Sequence, residues 1–350
     1  MELGTLATRD ATLPVAYSER LEALSLAPLW TALGVLLPPE RVTRVVPYRW
    51  RWADLRGPLL EAARLVDMAH AERRVLVLMN PGLPGEYAAT ATLYAGLQVI
   101  LPGESAPSHH HTPAALRLIV EGRGAFTTVE GVKCVMEPGD LIVTPPMRWH
   151  DHGHEGTEPV VWLDGLDVPL VRSLEASWGS KMRPPAPPAI ATDSSQTEFT
   201  AAGLLPRRSR YEETGYPQVR WPWQVVRPAL SAMAAGAPAD LPLVLRYVNP
   251  RTGASPLPTM GCEAQWLRPG EGTRGERRTG SGIFHVIEGR GESRIGDATF
   301  TWDPGDTVVA PPWHWVTHRN ASATAPACLF HLNDEPTLRA LGLWQEETRS

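Results

Sequence analysis

The chain has 350 residues, a formal net charge of −5 and 43% hydrophobic residues. That length accommodates two domains and a sizeable core, while the mild acidic excess and the lack of any basic block exclude a general nucleic-acid binder. No apolar run reaches the roughly 18 residues of a membrane span.

The first ten residues, MELGTLATRD, carry no basic segment followed by an apolar run, so no secretory signal is expected. Cys134, Cys262 and Cys328 are far apart and odd in number. They read as free thiols of a reducing, cytoplasmic protein.

In chain order, residues 1–74 are expected as an N-terminal helical arm. Ser18 is a candidate cap for a helix running through Glu19, Leu21, Leu24 and Leu26. A second helix is expected over Pro58 to Arg73, with Leu59, Ala62, Ala63 and Val66 on one face. From Val75 the texture changes to short β-rich runs (VLVLMN, TLYAGLQVIL, ALRLIVEG, AFTTVEG, DLIVTPP and VVWLDGL) punctuated by turn residues, which sets a first β domain at 75–175. Residues 176–240, with RPPAPPA at 183–189, read as a Pro-rich helical linker. Strand texture returns from Leu243, giving a second β domain at 241–350 that ends in a helix with Pro336 in its first turn.

The two β domains are copies. PGE at 102–104 recurs at 269–271, IVEGRG at 119–124 recurs as VIEGRG at 286–291, and PGDLIVTPP at 138–146 recurs as PGDTVVAPP at 304–312, at offsets of 167, 167 and 166 residues. A period that long is a duplicated domain rather than a solenoid repeat. Two small double-sheet, jelly-roll barrels follow as the mainly β fold class.

Histidines concentrate in the first copy. In an extended segment His109 and His111 share a face, with His110 on the other. If that register held as far as Arg117, its side chain would join them. Forty residues on, His150 and His152 alternate in the same way, and His154 reads as a solvated loop residue. A surface loop of three histidines and a structural His150 are the competing readings. Together they account less well for the two separated motifs that the histidines fit, Gly103-x5-His109-x-His111 with Gly122, and Gly139-x5-Pro145 leading to His150.

Three imidazoles suit iron, zinc and copper alike and leave about three positions open on a six-coordinate metal. In the second copy Glu276, Arg278 and Val316 replace His109, His111 and His150, so that barrel is expected to be metal-free. It would then serve as support, as an oligomer contact or as an anion site. His314 and His318 there read as packing or hydrogen-bonding residues.

SHHHTPAALRLIVEGRGAFTTVEG and PGDLIVTPPMRWHDHGHEGTEPVVWLDGLD resemble the gentisate 1,2-dioxygenase family, with its salicylate and 1-hydroxy-2-naphthoate dioxygenase relatives. The upstream AERRVLVLMNPGL and ATLYAGLQVILPGE are similar too. The likeness is close over about residues 45–175 and looser over 240–345.

It implies a bicupin, that is, two double-stranded β-helix barrels with an N-terminal helical region and a helical linker. It also implies Fe(II) on His109, His111 and His150. Ala115 stands where many metal-binding cupins carry a glutamate ligand, and His110 where many members carry arginine. Arg73 and Arg117 match arginines that hold a substrate carboxylate, and Tyr94, Gln98, His152 and Asp164 match polar active-site residues, with His152 and Asp164 in the catalytic role.

The implied substrates are O2 and a small aromatic hydroxy acid, gentisate going to maleylpyruvate. Salicylate or 1-hydroxy-2-naphthoate is the alternative within the family, and a non-catalytic small-ligand-binding bicupin the alternative of another class. The resemblance also implies a homotetramer.

Overall fold

The computed structural model describes residues 12–181, 192–199, 205–207, 216–238 and 241–349. The RPPAPPA segment lies outside the described residues. Two compact units divide at residue 44/45. The first holds α1 (Val15–Ala23) and α2 (Leu29–Leu36). α1 begins directly after Pro14, whose fixed φ suits a helix start. Ser18, expected as a cap, therefore lies inside the helix.

The second unit is built from β1 (Tyr48–Trp50), α3 (Trp52–Leu65), α4 (Met68–Ala71), β2 (Arg74–Val77), β3 (Tyr94–Ile100), β4 (Ser105–His111), β5 (Ala115–Glu121), β6 (Ala125–Val129), β7 (Val132–Val135), β8 (Leu141–Thr144), β9 (His150–His154) and β10 (Val160–Leu166). There follow α5 (Val168–Ser173), β11 (Gly179–Ser180), α6 (Ser194–Phe199), β12 (Arg220–Trp221), α7 (Trp223–Gly236) and β13 (Leu243–Arg246). The chain closes with β14 (Gly261–Leu267), β15 (Gly275–Arg278), β16 (Gly282–Glu288), β17 (Gly291–Ile295), β18 (Ala298–Trp302), β19 (Thr307–Ala310), β20 (Val316–Asn320), β21 (Ala327–Asn333), α8 (Glu335–Ala340) and β22 (Glu346–Arg349).

The sheets repeat the duplication strand for strand. The first barrel pairs β12-β8-β5-β10-β3-β2 with β11-β4-β9-β6-β7, and the second pairs β1-β19-β16-β21-β14-β13 with β18-β17-β20-β15-β22. All pairings are antiparallel. Central strands such as ALRLIVE and GIFHVIE are apolar along most of their length because each is covered on both faces. The first glycine of each EGRG turn, Gly122 and Gly289, has positive φ, and a Cβ on Gly122 would lie 2.1 Å from Pro159 O.

The duplication extends further upstream than the sequence reading took it, and its leading segments are exchanged. Arg49-Trp50-x-Trp52, Arg56 and Leu59 recur as Arg220-Trp221-x-Trp223, Arg227 and Leu230. β1 precedes the first barrel but pairs with β19 of the second. β12 precedes the second barrel but pairs with β8 of the first.

The following helices are capped by carboxylates of those same barrels. Asp306 accepts from Trp52 N at 2.8 Å and Asp140 from Trp223 N at 2.7 Å. Neither helix has a capping side chain of its own, so each repeated PGD aspartate completes a helix start. Trp52 lies over Gly305 and Trp223 over Gly139, positions where a Cβ would come within 2.6 Å and 2.4 Å of the indoles.

Part of the segment expected as a helical arm is thus barrel edge. The expected helix from Pro58 to Arg73 starts earlier, at Trp52, with Pro58 inside it, and ends at Leu65. Pro336 does fall in the first turn of α8.

Candidate metal centre

The two sheets of the first barrel divide the chemistry between them. β4 and β9, neighbours in one sheet, carry His109, His111, His150 and His152. β3, β5 and β10 in the other carry Tyr94, Gln98, Arg117 and Asp164. Arg117 therefore does not continue the strand of His109 and His111. The chain breaks at Thr112–Pro113 and crosses to the other sheet.

His109 and His150 are opposed across β4 and β9 with ring centroids 3.9 Å apart. His109, His111 and His150 each offer a ring nitrogen, and these atoms lie within 4.8 Å of one another. Their other nitrogens are all occupied in one way. His109 Nδ1 bonds Pro107 O at 3.2 Å, His111 Nδ1 bonds Pro113 O at 2.7 Å and His150 Nδ1 bonds Arg148 O at 2.9 Å.

A carbonyl only accepts, so each Nδ1 carries the proton and each Nε2 keeps its lone pair. His150 Nε2 is buried with no partner. Burial and the neighbouring Arg73 and His111 charges push His109 down to about 3. Burial, together with the Arg117 and Arg73 charges, outweighs the Pro113 carbonyl and takes His111 down to about 4. Burial holds His150 well below the ordinary range. Three neutral Nε2 donors converging on one point, one of them otherwise orphaned, fit a borderline transition metal.

Of the other expected residues, His152 is 2% exposed and neither ring nitrogen has a partner. Its imidazole is kept neutral by burial and by the Arg117 and Arg73 charges. Arg117 is 4% exposed. Its Nη1 donates to Thr144 Oγ1 at 2.7 Å and its Nε has no hydrogen-bond partner. Burial lowers it to about 10.

Asp164 stands opposite Arg117 between β10 and β5, Oδ1 3.8 Å from Nε. Burial raises its carboxyl to about 6 against the pull of Arg117 and the Trp162 bond. Asp164 does not orient His152. It accepts from Trp162 Nε1 at 2.9 Å and faces Arg117, because the carboxylate is on the opposite sheet from His152.

Gln98 Nε2 is buried and unpartnered, and Tyr94 is raised by burial and by Asp164. Both lie on the β3 face that includes Gly96, where a Cβ would meet Val75 Cγ1 at 2.6 Å and the Tyr94 hydroxyl at 2.8 Å. Arg73 precedes β2, and its charge acts on His109, His111, His152 and Asp164. Burial lowers the Arg73 guanidinium itself.

His110 points away and stacks on Trp149 at 4.0 Å. His154 is not a solvated loop residue. It is 4% exposed within β9, where Nδ1 accepts from Gly156 N and Nε2 bonds Glu158 O. Sequence reasoning missed Thr144 and Trp162, which hold Arg117 and Asp164. Thr144 had only a weak signal, since it is one of three positions, with Leu141 and Ile142, at which PGDLIVTPP departs from its repeat PGDTVVAPP.

A cupin-domain model matches residues 96–167 and 265–333. The chain is 43% identical to a gentisate 1,2-dioxygenase of Ralstonia sp., over 98% of this chain and 96% of that protein. It is 39% identical to a 1-hydroxy-2-naphthoate 1,2-dioxygenase of Nocardioides sp. (strain KP7), over 86% and 79%. The crystal structure of salicylate 1,2-dioxygenase from Pseudoaminobacter salicylatoxidans with gentisate superposes with a TM-score of 0.89 at 31% identity, covering 99% of this chain and 97% of that one.

Proposed function

The chain belongs to the gentisate 1,2-dioxygenase family of cupin oxidoreductases, and from that premise we propose that it opens the ring of gentisate with O2 to give maleylpyruvate. The break falls between the carboxyl-bearing and adjacent hydroxyl-bearing carbons. The observation that carries this reading is the set of three neutral imidazoles converging opposite a buried guanidinium.

His109, His111 and His150 hold the metal, read as Fe(II). Bound there, Fe(II) supplies the redox centre where a chelating hydroxy acid and O2 meet. Arg117, already fixed at Nη1 by Thr144, presents its remaining N–H groups to the substrate carboxylate. Arg73 adds a second positive charge to the same field. With Asp164 balancing only one of these arginines, the pocket favours an anion. His152 is neutral and unpartnered, so one ring nitrogen can accept a hydrogen bond from the ring hydroxyl as the substrate binds. Gln98 offers its free amide to a further ring oxygen. Tyr94 and the side-chain-free Gly96 set the depth of the pocket wall.

The proposed assembly is a cytoplasmic homotetramer. The exposed Leu29, Trp30, Leu33 and Leu36 of α2 support burial against other subunits. No described helix is long and apolar enough to cross a membrane.

Oxygen uptake by anaerobically iron-loaded protein, challenged with gentisate, salicylate and 1-hydroxy-2-naphthoate, tests the function. Gentisate is expected to be consumed fastest. Preference for either other acid would move the assignment within the family, and no uptake with any of them would refute it.

A further inference from the structure

The three histidines do not fix their Nδ1 protons alike. His109 and His150 bond carbonyls two residues before them, on Pro107 and Arg148, whereas His111 bonds a carbonyl two residues after it, on Pro113. That carbonyl lies in the crossover between the two sheets, so the strand of His111 does not set its position.

The N–H of the same peptide belongs to Ala114 and donates to Asp167 Oδ1 at 2.8 Å. A planar trans peptide points its C=O and N–H in opposite directions. The Asp167 carboxylate, the peptide between residues 113 and 114 and the His111 ring therefore form one hydrogen-bonded chain that ends at His111 Nε2. Asp167 is 1% exposed, and Thr259 Oγ1 donates to its other oxygen, Oδ2. In so buried a place each bond of such a chain polarises the next.

His150 is served in the same way. Its Nδ1 bonds Arg148 O at 2.9 Å, and the N–H of that peptide, on Trp149, donates to Glu130 Oε1 at 2.7 Å. Glu130 lies in the turn between β6 and β7, and its own N–H donates to Trp149 O at 2.9 Å.

The repeat supplies the contrast. Asp334 Oδ1 accepts from Ser281 N at 2.9 Å, and its Oδ2 accepts from Thr92 Oγ1. Asp334 and Ser281 match Asp167 and Ala114, and Thr92 matches Thr259, all at the repeat offset of 167 residues. The aspartate clamp thus belongs to both barrels, and each takes a threonine from the other. In the second barrel it carries no imidazole, because Arg278 replaces His111. Glu130 has no such counterpart. Its backbone bond to Trp149 O recurs as Gly296 N to Trp315 O, so a glycine stands in its place.

We propose that Asp167 and Glu130 are positioning residues of the metal centre, each delivering carboxylate charge to a ligand histidine through a single peptide group. A set of neutral imidazoles gains two anions in this way while the open coordination positions stay open. The two chains aim the Nε2 atoms of His111 and His150 and raise their basicity toward a metal. The inference rests on the reading of His109, His111 and His150 as metal ligands.

Co(II) affinity of the full-length protein, measured by competition with a chelating dye, is the first readout. Wild-type protein should bind Co(II) and His109→Ala should not. Failure there overturns the ligand reading and the inference with it. Asp167→Asn and Glu130→Gln keep an accepting oxygen but remove the charge, and each should weaken binding about tenfold. Asp334→Asn makes the same change where no histidine is attached and should leave binding unchanged.

The reduction potential of the iron-loaded protein is the second readout, one that a purely structural clamp does not move. It should rise in Asp167→Asn and in Glu130→Gln, because loss of a nearby negative charge disfavours Fe(III), and stay in place in Asp334→Asn. Thermal unfolding of each metal-free variant is recorded, and Glu130→Gln, at a half-buried position, carries the test if Asp167→Asn does not fold. With wild-type binding intact, unchanged affinity in both variants or an equal loss in Asp334→Asn would overturn the proposal. Weaker binding at an unchanged potential would also overturn it, by reducing both residues to structural supports.

Discussion

His109 stands directly opposite His150 across β4 and β9, and their rings approach to 3.9 Å between centroids. The same register in the second barrel opposes Glu276 to Val316. A cross-strand pair in one sheet therefore contributes to a cluster that could hold a metal in one copy and offers no matching set in the other, since valine has no donor and Arg278 would repel a cation.

Replacing His109 or His150 by alanine should accordingly lower iron content from about one per chain to near zero. Elemental analysis of reconstituted protein checks this. Wild-type protein carrying two irons per chain would contradict a metal-free second barrel.

Arg117 and Asp164 are both nearly buried. Removing one partner alone leaves a buried charge, a loss of about 3–5 kcal/mol. Arg117→Met should unfold earlier and lose about 10–100-fold in kcat/KM for the substrate carboxylate. Adding Asp164→Asn to Arg117→Met should restore much of the thermal stability without restoring kcat/KM. Recovery of both would show that Arg117 acts through folding alone.

Glu263 gives the second barrel a pH dependence. Burial alone would raise its carboxyl, but the His331 hydrogen bond and the His331, Arg278 and Arg246 charges outweigh it and hold it down to about 2. The unfolded chain then binds more protons than the folded one below the ordinary value of 4.5. The stabilisation is full above about pH 4.5 and is lost as pH falls toward 2. Denaturant melts across this range should show a shallower acid decline for Glu263→Gln, which is also less stable at neutral pH.

The exchanged segments make unequal demands on their two caps. Asp140 holds Trp223 N and also the buried Arg220, through Nε at 2.8 Å and Nη2 at 2.6 Å. Asp306 holds Trp52 N with no buried arginine attached. Asp140→Ala should cost about 3 kcal/mol or more and Asp306→Ala about 1–2 kcal/mol. Equal losses in urea melts would deny Arg220 its role.

Much of the centre was readable before folding was considered. The repeated EGRG and PGD segments located two barrels, and period-2 alternation put His109 with His111 and His150 with His152. Those are local facts, because the side-chain period of a strand is a property of backbone geometry. The expectation of a metal-free second barrel came from Glu276, Arg278 and Val316 alone. Ser18 and the start of α3 were misread because capping there depends on Pro14 and on a distant Asp306, not on the nearest polar residue.

Tertiary structure alone decided which sheet faces which. It set Arg117 and Asp164 opposite the histidines rather than beside them, gave Asp164 to Trp162 instead of His152, and exchanged β1 and β12 between the barrels. Local pattern records the direction of a side chain from its own strand. Contacts between sheets arise only when loops choose the strand's neighbours, and no spacing along the chain encodes that choice.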